Sequence, residues 1–429
     1  MDILIVGAGL GGLAAACSFT RDGHRVQVFE RQPKLSPKGG LLMIRPPASQ
    51  VLHSWGLEDA IGEVGDKSMP FEIRDLKKGK GKTRKLPYTP TKYPDWGVHR
   101  SKLQDVLYSR ALQAGAQITF DCVVEDFTDE VGSRPSLTLR GGETVTGDLI
   151  LAADGIRSRL RAKILAGVPP ASIAPITEGL TLYGAIVPTE RMESDDTAKV
   201  LLDQVEPAVW VDRARFIVSR KSRKHDFWSG LFGIVQPDED QANLWDEDGD
   251  IELVRKRFEG SCPEIVAALN LATSCDRWKI AEMPDLPRWT SPNGRTVLLG
   301  DSAHAMQPNA AQGLSQIIED IGVLNILLKS APDLPIPTIT QLWEQLRKPR
   351  AERIKGFAAW NTDMFLGKKD NQPPPPEDAA KQWMAFNELK PDPNAAFNTA
   401  AFFKWAHDFD VIGDALQSLQ EFRKHTSKL

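Results

Sequence analysis

Apolar residues change their spacing abruptly within the first thirty positions. Residues 2–6, DILIV, are continuously apolar after Asp2, which predicts a strand buried on both faces of a parallel sheet. The run passes into GAGLGG, and LGGLAAACSFTRDG predicts a helix that ends near Gly23. RVQVFE then returns to strand spacing and ends at Glu30. The same pattern recurs in DLILAADG, which ends at Asp154 and Gly155, and in residues 296–299, which run into Gly300 and Asp301. Further on, Leu314, Ile317, Ile318, Ile321, Leu324, Ile326 and Leu328 fall at helical spacing over residues 312–328. GVHRSKLQDVL opens a helix after His99 and Arg100, and residues 168–280 mix short strands with Trp210, Trp228 and Trp245.

With 429 residues, two domains, or one domain interrupted by another, are expected. A hydrophobic share of 41%, a charged share of 26% and a net charge of -4 are those of an ordinary globular protein, without a general pull toward nucleic acid or anionic lipid. The basic run LKKGKGKTRK lacks interleaved aromatics and reads as a solvated hairpin tip. Cys17, Cys122, Cys262 and Cys275 form no CxxC pair, so no metal site or disulfide framework is expected, and a reducing, cytoplasmic location fits. No apolar run reaches the roughly 18 residues of a transmembrane segment.

The glycine spacing of the first turn has a chemical reading. Gly7, Gly9 and Gly12 hold GxGxxG, where the first makes the turn, the second lets a pyrophosphate approach the backbone and the third lets helix and strand close up. The helix amino terminus then stabilises the phosphates without a lysine. Glu30 stands where it can accept from a ribose diol and would repel a ribose phosphate, which counts against NADP at this site. FAD and NAD both remain open on this unit alone, and a structural turn is the plain alternative. Asp301 can reach a polyol such as ribityl, or merely cap a turn, and the helix opening at Gly313 can stabilise negative charge on a reduced flavin. Arg157, Arg159 and Arg161 either attract a nicotinamide phosphate or lie on a solvated face, and Arg100 can contact a flavin diphosphate.

Taken in order, GAGLGG with Glu30, VHRSKL, LAADGIRSRLR and GDSAHAMQPNAAQGLSQIIEDIGVL resemble the motifs of class A, single-component FAD-dependent aromatic hydroxylases, in their salicylate hydroxylase-like fungal branch. PKGGLLMIRPPASQVLHSWGL, LWEQLRKPRAERI and WAHDFDVIGDAL carry the resemblance over nearly the whole chain. It implies an α/β fold with a glutathione reductase-like, Rossmann-type FAD-binding domain (residues 1–75, 98–167 and 278–345). An inserted β-sheet substrate domain (76–97 and 168–277) and a C-terminal helical region (346–429) complete it. It also implies a set of FAD positions: Glu30 for the adenosine ribose, Arg100 for the flavin, Asp154 for the pyrophosphate region and Asp301 for ribityl, with Arg31, Gly155 and Gly300 as further cofactor-binding residues. Pro308, Gly313 and Leu314 would lie near the isoalloxazine.

The activity so implied is a monooxygenase in which NADPH or NADH reduces FAD and molecular oxygen forms a C4a-hydroperoxide that attacks an electron-rich ring. Its partner would be a small aromatic or alkaloid-like molecule, in fungal secondary metabolism. Epoxidation or oxidative rearrangement of an indole alkaloid or polyketide shares every motif, and a non-catalytic FAD-binding relative and an NAD dehydrogenase are the other classes. No catalytic triad is needed, so His53, His99 and His304 are expected to be structural.

Two departures concern the substrate side. Fungal relatives carry an arginine after the tyrosine of a YRA-type strand, whereas here Gly184 follows Tyr183. A later tyrosine-proline pair is replaced around Ser219 and Arg220. Arg45 and Arg220 are the candidates for the lost positive charge, with surface exposure the plainer expectation for Arg220. The acidic stretch PDEDQANLWDEDGD reads as a loop, and PPPP at residues 373–376 as a break before the last helices. The tail, with Trp383, Phe397, Phe402, Phe403 and Trp405, either packs over the flavin domain or forms a homodimer face.

Overall fold

The structure, a computed structural model, describes residues 1–36, 38–68, 71–85, 91–203, 207–212, 215–235, 247–366 and 379–426. Among these, a parallel sheet orders Thr296–Leu298, Leu149–Ala152, Asp2–Val6, Arg25–Phe29 and Gln117–Thr119 side by side. Its inner strands are the unbroken apolar runs, and Ile3, Leu4, Ile5, Leu149, Ile150 and Leu151 are fully buried. Helices Leu10–Arg21, Arg100–Ala114 and Gly313–Ser330 pack together beside it. From Asp2–Val6 the sheet grows in both directions, so the carboxyl ends of Asp2–Val6 and Leu149–Ala152 flank a crevice at the point where strand order reverses.

A second, eight-stranded sheet runs in the order Glu247–Gly249, Cys275–Glu282, Ile176–Pro188, Phe227–Val235, Arg215–Lys221, Ala208–Asp212, Glu72–Asp75 and Gly79–Lys85. Its pairs are antiparallel except for Glu72–Asp75 beside Ala208–Asp212. The sheet thus overruns the expected boundaries at 75/76 and 277/278, because Glu72–Asp75 and the end of Cys275–Glu282 take their ladder partners from it. One face buries Tyr183, Trp210, Ile217, Trp228 and Phe232 beneath helices Ile251–Arg257 and Pro263–Leu271. The other carries Leu180, Leu182 and Phe216, with Phe365 and Leu366 packed on them.

The acidic stretch is a loop only in part: Glu247–Gly249 pairs with Cys275–Glu282, while residues 236–246, with Trp245, lie outside the described residues. So do the four prolines. Lys77 and Lys78 sit exposed at the turn of the basic hairpin, and the side chains of residues 80–85 lie outside the described ones. The tail packs on the 30-residue helix Ile336–Phe365, with Phe402 5.0 Å from Phe357 between ring centroids. Among the described residues no helix is long and apolar enough to cross a membrane, and no His, Cys, Asp and Glu cluster could hold a metal.

Candidate cofactor and substrate site

Between the two sheets and the tail lies a cavity of about 1410 Å³, larger than the roughly 300–1,000 Å³ of a site for one drug-sized ligand. The glycine turn forms one end. Gly7 is left-handed at φ +101, and a Cβ there would stand 2.6 Å from the Ala153 carbonyl oxygen of the neighbouring strand. A Cβ on Gly12 would stand 1.9 Å from the Gly7 oxygen, so a side chain would force helix Leu10–Arg21 off the strand. At Gly9 a Cβ would meet nothing, and no side chain caps the helix. That open backbone, with the first helical amides, is a cradle for an anion. Glu30 closes it: Oε2 accepts from Ala8 N at 2.7 Å and Oε1 from Gln32 N at 2.8 Å.

Glu30, Arg31, Arg100, Asp154, Gly155, Asp301, Pro308, Gly313 and Leu314 all line this cavity, as do Gly7, Gly9, Arg45 and Arg220. Gly12 and Gly300 lie behind its wall, where Gly300 is left-handed against Ile317. Arg100 donates to the Lys38 carbonyl at 3.0 Å. Surrounding protein raises the Asp301 carboxyl above its ordinary range, with His304 and Arg100 opposing; burial does the same to Asp154, opposed by Ser158, the Arg159 amide and Arg161.

Several buried polar atoms along the cavity have no protein partner: Arg45 Nε, His99 Nε2, Asp154 Oδ1, Arg220 Nε and Nη1, and Gln307 Oε1. Such atoms are costly unless something polar meets them. A dinucleotide with phosphates, ribityl hydroxyls and ring carbonyls supplies partners for those near the glycine cradle and the Asp154 turn, so the residues present fit FAD.

On the substrate side, Arg220 is buried, contrary to the surface expectation. Strand alternation in Arg215–Lys221 turns Phe216, Val218 and Arg220 inward, and the guanidinium lies against Gly97 with Nη2 3.9 Å from Asp66. Arg45 is more fully engaged, donating to Asp95 at 3.2 Å and to the Ala310 carbonyl at 3.3 Å. The wall at Gly184 is filled by Trp278, and Trp360, Phe397 and Phe403 line the cavity from the helical region.

Arg161 fits neither reading of the sequence. It is buried and donates to the carbonyls of Ile173, Ser302 and Ile156, which stitches the Asp154 turn to the Asp301 turn. Arg157 and Arg159 remain exposed at the cavity. Not foreseen at all was a buried ionic cluster behind the site, built from Glu319, Asp320, Arg347 and Arg350 with His304. The sequence signal was two adjacent acids, Glu319 and Asp320, within a largely apolar helix.

A family model described as FAD binding domain matches residues 1–331. The chain is 27% identical over 427 residues to FAD-dependent monooxygenase OpS4 of Beauveria bassiana (strain ARSEF 2860), covering 97% of this chain and 96% of that one. Among solved structures, CtdE in complex with FAD and substrate 4 superposes with a TM-score of 0.82 at 21% identity, over 100% of both chains. A salicylate hydroxylase substrate complex gives a TM-score of 0.76 at 20% identity, over 97% of this chain and 98% of that one. These likenesses show the shared fold, including the parallel sheet and helical C-terminus.

Proposed function

The chain belongs to the FAD binding domain family and is an FAD-dependent monooxygenase, and from that premise we propose that it hydroxylates an aromatic or other electron-rich small molecule. When bound, FAD would supply the chemistry, hydride acceptance from NADPH or NADH and dioxygen activation, by which one oxygen atom enters the substrate and the other leaves as water. The observation that carries this reading is the meeting, in one cavity, of the glycine cradle, Asp154 and Asp301 with an apolar wall from the large sheet.

The chain's own residues bind, orient and exclude water. The Gly7–Gly12 turn and the Leu10–Arg21 helix terminus would hold the pyrophosphate, Glu30 the ribose, and Asp301 the polyol chain. The amino terminus of helix Gly313–Ser330 has no side-chain cap and would stabilise negative charge on the reduced ring. Arg220 supports the substrate: with Nε and Nη1 unpartnered it can donate to a phenolic or carbonyl oxygen, whereas Arg45 already serves Asp95. The aromatic tail keeps water from the reacting atoms. The test is oxidation of NADPH by the purified yellow protein, stimulated by one of a panel of phenols, indoles and enones, together with the product mass. No stimulation by any of them, with full FAD content, counts against the reading.

A further inference from the structure

The strand Ile176–Pro188 turns Leu182, Gly184 and Ile186 to the cavity and Tyr183 and Val187 to the core behind. In the ladder, Leu182 is in register with Trp278, and Gly184 with Asp276. A Cβ at Gly184 would stand 2.7 Å from two ring carbons of Trp278. The missing side chain is therefore space that the indole occupies. We propose that Trp278, seated over Gly184, is a specificity-determining wall that selects an uncharged fused-ring substrate over an aryl carboxylate. This rests on the oxygenase reading above for where the substrate lies.

Charge agrees with shape. A carboxylate seated against Leu182, Leu231, Ile280 and Phe365 around the indole would give up its hydration to an apolar wall. Arg277 is in register with Tyr183 and faces away. The backbone of Arg220 lies three strands from that of Trp278 in the sheet order, about 14 Å at roughly 4.8 Å per step, which leaves its guanidinium for the far end of the substrate, and Arg45 is paired with Asp95. Around the indole the neighbours are Leu182, Leu231 and Ile280, which with Phe365 make an apolar patch for a flat ring.

The experiment titrates FAD-loaded protein with 2-naphthol, carbazole and 3-hydroxy-2-naphthoate, reading the flavin difference spectrum. The wild type should bind the two neutral compounds tighter than the carboxylate by about tenfold or more. Trp278→Leu should keep its flavin content and lose about tenfold in affinity for 2-naphthol. The double variant Gly184→Arg with Trp278→Ala, also checked for flavin content, should reverse the preference. Equal or tighter binding of the carboxylate by wild type, or unchanged 2-naphthol affinity in Trp278→Leu, overturns the proposal. The expected binding order without any stimulated NADPH oxidation upholds Trp278 as the wall and counts against the oxygenase reading instead.

Discussion

His304 Nε2 lies 2.6 Å from Asp320 Oδ2, with both side chains buried, and so ties the turn that carries Asp301 to the helix that begins at Gly313. Arg347 holds the other carboxylate oxygen of Asp320 at 2.9 Å and Glu319 at 2.8 Å, and Arg350 bonds Glu319 at 2.6 Å. Two adjacent buried acids are tolerable only because two guanidinium groups face them. Arg347→Ala leaves them undercompensated and should destabilise the protein by about 3–5 kcal/mol, read from denaturant unfolding. A loss within experimental error of zero would show that the cluster is not what holds the two turns together.

Glu30 is fixed by the Ala8 and Gln32 amides before any ribose reaches it. Glu30→Ala leaves both donors unanswered and loosens the turn, which should weaken FAD binding by about 10- to 100-fold. Gly12→Val, which collides with the Gly7 carbonyl, should yield protein without bound flavin. FAD titration followed by fluorescence quenching checks both variants.

His407 lines the cavity, stacked on Phe403 at 5.5 Å between centroids. Burial, with Arg45 and Arg350 adding positive charge, holds its imidazole well below the ordinary range. The unfolded chain therefore binds a proton there that the folded one refuses, and stability rises with pH through this group. Its contribution is fully present above about pH 6.5 and is lost as pH falls below it, by up to roughly 1.4 kcal/mol per pH unit. His407→Gln should flatten that limb of the stability profile; an unchanged slope between about pH 5 and 6.5 would assign it to other groups.

Burial pushes the thiols of Cys17 and Cys275 up to about 11 and that of Cys262 up to about 12. Cys122 is half-buried, its thiol raised by burial and by the charges of Glu143 and Asp121. Since the thiolate is the reactive form, iodoacetamide at pH 8 should leave three cysteines unlabelled in the native protein, label Cys122 slowly and reach all four after unfolding. Rapid native labelling of Cys17, Cys262 or Cys275 would contradict this burial.

The parallel sheet was legible from the sequence because its backbone demands are local: Gly7 must be left-handed, Gly12 must lack a side chain, and Ile3 to Ile5 must be apolar on both faces. Arg347 and Arg350 were not, because basic residues at helical spacing look the same whether they face water or two buried acids on another helix. Arg220 was expected outside for the same reason, since nothing adjacent in sequence reveals Asp66 or Gly97 beside it. The Gly184 vacancy could be read, but Trp278, its occupant, lies on a strand almost a hundred residues away whose register no local pattern encodes.

The most direct measurement of the central claim is turnover of an accepted substrate with NADPH under ¹⁸O-labelled dioxygen, with mass analysis of the product. The account predicts one labelled oxygen atom per product molecule, formed only by flavin-loaded protein. Product oxygen drawn from water, or NADPH oxidation yielding hydrogen peroxide without any oxygenated product across the panel, would contradict it.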